Sequence, residues 1–184
     1  VLFGTRAYLQ SPVTFDRQSV REILRSMDAG MAGNSTSIGD ALGLALKSIR
    51  ESGGSEERII ILLTDGENND GSLSMAQAIN LARNEKVKVY TIGVGAENAF
   101  VRSLFGMRIA MPGGIDEEGL KRLAEETKGN YFRAGDTEGL QKIYAEIDRL
   151  EPSANEDQFV REAKDLFYWP LSAALLLSFL TVFL

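Results

Sequence analysis

Cysteine and histidine are both absent from these 184 residues. Their absence excludes disulfides, thiolate zinc sites, Ser-His-Asp triads and histidine general bases. Any metal must then be a hard cation held by oxygen. Runs of lysine or arginine are also missing. With 20 basic against 26 acidic residues the net charge is −6, and a nucleic-acid surface, which needs a basic stripe, is not expected. No P-loop pattern occurs. "GVGAEN" has the first two glycines of a dinucleotide fingerprint but Asn98 in place of the third, and it follows the wrong strand.

What is present is ordinary globular composition, 44% hydrophobic and 25% charged, enough for one core and too little for two large domains. "VLFG" reads as the end of a strand and "AYLQSPVTF" as a turn and a second strand, with Pro12 suited to a sheet edge. Because the chain opens in mid-strand with valine, the expectation is a fragment whose beginning is missing. Asp16 caps a helix with Val20, Ile23, Leu24 and Met27 at helical spacing. A loop of small polar residues over 28–36 leads to a helix over 38–51, whose inward face is Ala41, Leu42, Ala45, Leu46 and Ile49.

"RIIILLT", 58–64, suits a parallel strand covered on both faces. Ser74 and Gln77 make a capping box for the next helix, and "KVKVYTIGVG" is the following strand. Strand, helix and strand form a βαβ unit with a right-handed crossover. Residues 96–115 read as a long irregular loop, in which Arg102, Phe105 and Met107 are either a contact surface or simply mobile. A helix over 117–127, a strand in "GNYFRA" and a helix over 137–150 complete an α/β alternation. The fold expected is doubly wound and Rossmann-like, with a mostly parallel sheet and helices on both faces.

Residues 151–166 are a charged linker; "EPSANEDQFVREAKD" carries five acids and two bases. Then "FYWPLSAALLLSFLTVFL", 167–184, runs for 18 residues without a charge, about 27 Å as a helix and enough for a bilayer core. Tyr168 and Trp169 stand where an interfacial anchor belongs. A single-pass transmembrane helix is expected, with the acidic flank placing the soluble domain outside the cytoplasm, on the periplasmic side.

In open parallel sheets ligands gather at the carboxyl ends of the strands. Asp65 ends the aliphatic run, and Ser35, Thr36 and Ser37 precede a helix on the same expected edge. Hydroxyls and a carboxylate converging there can coordinate Mg²⁺, Ca²⁺ or Mn²⁺. A plain Asp-Gly turn and a plain helix cap account for the same residues. "DGENNDG" is not an EF-hand, which needs Gly at its sixth position; counted from Asp65, that position is Asp70. Glu67, Asn68, Asn69 and Asp70 read as a solvated acidic rim that, with Asp40, shapes the surface.

"TSIGDALGLAL", "IIILLTDGENNDG", "VKVYTIGVG" and "IDEEGLKRLAEETKGNYFRAGDTEGLQKIYAEID" stand in the order and spacing of von Willebrand factor type A domains, which residues 1–150 resemble. With the membrane run added, the chain looks most like bacterial Bat-type (aerotolerance) membrane proteins. The resemblance implies a metal-ion-dependent adhesion site made of an Asp-x-Ser-x-Ser turn, a Thr and a Thr-Asp-Gly turn. Thr36 matches the Thr and Asp65 the Asp. The Asp-x-Ser-x-Ser turn is not in this chain; in the family it lies upstream, after a first strand central to the sheet.

The resemblance therefore implies a domain lacking its first strand, a gap between the strands at 1–3 and 59–63, and weak or no metal binding by this fragment. It implies a membrane-anchored interaction module, not an enzyme, that binds a partner's carboxylate through Mg²⁺ (or Ca²⁺ or Mn²⁺). The partner would be a MoxR-type AAA ATPase or a sibling A-domain protein. The alternatives are a metal-independent assembly domain and a Mg²⁺-dependent hydrolase.

Overall fold

The computed structural model describes residues 1–28, 30–53, 58–95, 100–102, 108–110 and 115–151. The run 167–184, expected to cross a membrane, lies outside them, as do Phe105 and Met107. Among the described residues no helix is long and apolar enough to span a bilayer. Two compact units divide the chain, Val1–Ile147 and Asp148–Leu184, and the fold below is that of the first.

Its elements are β1 (Leu2–Phe3), β2 (Ala7–Tyr8), α1 (Arg17–Arg25), α2 (Ile38–Glu51), β3 (Ile59–Thr64), α3 (Met75–Asn84), β4 (Lys88–Val94), β5 (Phe100–Arg102), β6 (Arg108–Ala110), α4 (Glu117–Glu126), β7 (Tyr131–Ala134) and α5 (Thr137–Leu150). β3, β4 and β7 form a parallel sheet in that order, with Ile59 opposite Lys88 and Thr91 opposite Tyr131. β1 and β2 pair antiparallel as a separate ribbon. β5 and β6 also pair antiparallel, Phe100 opposite Ala110, where the sequence suggested only an irregular loop.

Alternation along β4 sends its residues to two cores. Val89 joins Ile60 and Leu62 beneath α2, α3 and α4, which contribute Ile38, Leu42, Leu46, Ile79, Leu120 and Leu123. Tyr90 and Ile92 face the other way, toward Phe132 and the Ile143 and Ile147 of α5. β3 departs from the doubly covered strand expected of it: Leu62 is 5% exposed, but Ile61 and Leu63 are each 40% exposed. The reason is positional. Among the described residues β3 has β4 on one side and no strand on the other, and the β1–β2 ribbon stands off from it across a cavity of about 600 Å³ lined by residues 1–4 and 60–65, so from that side no described element reaches over the face that alternation gives to Ile61 and Leu63. Helix α1 likewise buries none of its residues among those described, and Leu24 is 61% exposed.

Helix starts follow their local chemistry. Asp16 accepts from the Ser19 amide, and Ser74 and Gln77 form the reciprocal capping box. Two helix ends share an unusual feature. After α3 the Lys86 amide bonds Arg83 O and the Val87 amide bonds Ala82 O; after α4 the Lys128 amide bonds Glu125 O and the Gly129 amide bonds Ala124 O. These are Schellman ends, whose left-handed residue is usually glycine. Here both are lysines, at φ 55° and 64°.

Candidate functional site

The C-terminal ends of β1 and β3 and the loop before α2 meet along one cavity, which Gly4, Ser35, Thr36, Thr64 and Asp65 all line. Thr36 and Asp65, more than two dozen residues apart in sequence, are thus brought to one edge of the sheet. Gly66 fixes the closeness of the two loops, since a Cβ there would come within 3.1 Å of Thr36 Oγ1. The Thr36 hydroxyl and the Asp65 carboxylate make no hydrogen bond within the described residues, and Asp65 is exposed.

Several residues around these two groups are tied down. The Thr36 amide donates to Asn69 Oδ1 (2.8 Å), and Thr36 O accepts from the Asn69 and Asp70 amides. Asn68 Oδ1 accepts from the Ile38 and Gly39 amides (2.7 and 3.3 Å) and so caps α2, while Ser37, at the N-cap position, makes no side-chain cap bond. The Ser37 hydroxyl instead donates to Gly4 O (2.7 Å), stapling the β1–β2 ribbon to α2.

Ser35 Oγ lies 2.6 Å from Asp70 Oδ2 and 2.8 Å from Thr5 Oγ1. A carboxylate can only accept, so Ser35 gives its proton to Asp70 and receives that of Thr5. The Ser35 hydroxyl, followed by the Gly71 amide, holds the Asp70 carboxyl below the usual value. Asp40 accepts from the Ser72 and Leu73 amides. Asn68, Asn69 and Asp70, expected in a solvated acidic rim, and Asp40, expected to shape the surface with it, also tie separate segments together. The signal missing from the sequence is an amide or carboxylate placed to accept from a backbone amide or a hydroxyl about thirty residues away, which no local pattern discloses.

A hydroxyl and a carboxylate are the right donors for a hard cation. They fit in kind and fall short in number, since such an ion takes six or more oxygens. Among the described residues no three acids gather to complete the set.

The chain belongs to the von Willebrand factor type A domain family, whose model matches residues 1–146. Among curated proteins it is 26% identical to an uncharacterized protein of Borreliella burgdorferi, over 91% of this chain and 50% of that one. It is 29% identical to a UPF0353 protein of Mycobacterium leprae, over 78% and 44%. The chain thus spans about half the length of the curated relatives it matches. Among solved structures it resembles an aerotolerance-related membrane protein of Bacteroides fragilis, at 26% identity, TM-score 0.60 and coverage of 80% and 76%. It also resembles BatB of Bacteroides thetaiotaomicron, at 28% identity, TM-score 0.58 and the same coverage.

Proposed function

We propose that this domain is a membrane-anchored protein-interaction module that captures a partner's carboxylate through a divalent cation, without catalytic turnover. The observation that carries it is the selective freedom of two side chains. Thr36 and Asp65 line one cavity with side-chain oxygens that make no hydrogen bond among the described residues, whereas the surrounding Ser35, Asn68, Asn69 and Asp70 are committed to holding loops. Thr36 and Asp65 would supply part of the ligand set for Mg²⁺, Ca²⁺ or Mn²⁺, and the remaining oxygens would come from an Asp-x-Ser-x-Ser turn outside this sequence. A cation so bound supplies a Lewis-acidic position for an incoming carboxylate. Asn68 and Asn69 keep the Thr36 loop in place for that role.

Membrane attachment is part of the same proposal, through 167–184, with the domain on the periplasmic side. It is supported by that uncharged run and by the likeness to an aerotolerance-related membrane protein. A MoxR-type AAA ATPase or a sibling A-domain protein is the proposed partner. The second reading is a metal-independent assembly domain, favoured by the shortage of ligands among the described residues.

Capture of partners from solubilised membranes by the full-length protein separates the two. A chelator should abolish capture, Mg²⁺ should restore it, and Asp65→Ala should lose it with or without the ion. Capture that is indifferent to chelator and to Asp65→Ala selects the assembly role. Phosphatase activity abolished by Asp65→Ala would overturn both.

A further inference from the structure

At the opposite edge of the sheet, where the strands begin, lies a second cavity of about 330 Å³. Arg58, Arg83, Lys86, Lys88 and Lys128 line it, and Glu126 is its one acid. Five cations collected around one hollow stand out in a chain of net charge −6. The framework there is firm. The Lys88 amide bonds Arg58 O (3.0 Å), the Arg58 guanidinium donates to Glu85 O (3.2 Å), and the buried Thr127 hydroxyl accepts from the Val89 amide (3.2 Å). Arg83 is paired with Glu126 at 3.1 Å. Lys86 and Lys128 are both exposed and make no side-chain bond within the described residues.

These two lysines occupy the left-handed positions of the α3 and α4 ends. Glycine is favoured at such a position and a side chain is conformationally costly there. Favourable placement near a helix C-terminus needs a cation in the last turn, which Arg83 already supplies for α3. That accounts neither for lysine in both strained positions nor for their convergence with Arg58 and Lys88 on one cavity.

We propose that this basic cavity docks the domain onto acidic phospholipid headgroups. The choice of a lipid surface over an acidic protein follows from where the chain goes. α5 starts just beyond the C-terminal end of β7 and runs back along the sheet, with Ile143 and Ile147 on the Tyr90–Ile92 face. Within the packed domain, up to Ile147, α5 thus returns toward the edge that carries the cations, and the uncharged run follows in sequence. A tethered basic surface meets the anionic headgroups at high effective concentration. The inference rests on the membrane anchoring proposed above.

The test uses the full chain in phosphatidylcholine nanodiscs with or without phosphatidylglycerol, reading amine labelling of individual lysines by mass spectrometry. Phosphatidylglycerol should slow labelling of Lys86 and Lys128 about fivefold, the equivalent of about 1 kcal/mol per cation near an anionic surface. Lys47 and Lys142, on other faces, should not change. The protection should vanish at about 1 M salt, where the screening length falls to about 3 Å. Lys86→Gly should weaken the remaining protection of Lys128 with no loss of thermal stability, because glycine suits the backbone there. Incorporation into nanodiscs with no lipid-dependent protection overturns the docking proposal alone. Failure to incorporate overturns the anchor and the docking with it. Protection by soluble polyglutamate but not by phosphatidylglycerol overturns the lipid in favour of an acidic protein partner.

Discussion

Asn68 does its work on residues about thirty positions earlier in the chain. Asn68→Ala should cost about 1–2 kcal/mol in urea unfolding, as loss of a helix cap does. Asn68→Asp, which keeps the acceptor and adds negative charge at a helix N-terminus, should cost less. Asp70 gives a pH signature. Its carboxyl is depressed in the folded state by Ser35, so its tie contributes fully above the ordinary carboxylate pKa and is lost as pH falls through the lower folded value. The protection of the Asn69 and Thr36 amides, taken relative to the intrinsic exchange rate at each pH, should therefore fall below about pH 4, and Asp70→Asn should remove that dependence. Caps made within three residues, at Asp16 and Ser74, are legible in sequence because donor and acceptor are neighbours. The Asn68–Asn69–Asp70 clamps are not, since their partners are assembled only by the fold.

Among elements, the helix ends and β3 are the informative places. Lys86→Gly should raise stability by up to about 1 kcal/mol in thermal unfolding, relieving a left-handed side chain at some cost in unfolded-state freedom. Leu62→Ala, at a buried position, should lose about 3 kcal/mol. Ile61→Ala, one residue away on the open face, should lose well under half as much. Helix spans and the positions of the parallel strands could be read from apolar periodicity, which is local. The exposure of Ile61 and Leu63 could not, because it depends on what stands beside β3. Nor could β5 and β6, whose pairing of Phe100 with Ala110 lies in a stretch without strand-like alternation.

For the whole molecule, the parallel order β3-β4-β7 sets the Thr36–Asp65 cavity and the basic cavity at opposite ends of the same strands. Distant sites without shared partners act additively. Asp65→Ala should therefore reduce partner capture by the same factor in a Lys128→Gly background as in the parent, measured by quantitative pull-down. Among the described residues the outer margin of β3 is unpaired, which has a colloidal consequence for this chain. A row of amides and carbonyls flanked by half-exposed isoleucine and leucine is a template for a neighbouring copy, and the excess of acids is what keeps copies apart. Light scattering of the chain in a mild non-ionic detergent, which covers the uncharged run, should find it monodisperse at low salt and increasingly clustered as salt screens that repulsion. Ile61→Lys, a gatekeeper charge on that margin, should prevent the clustering.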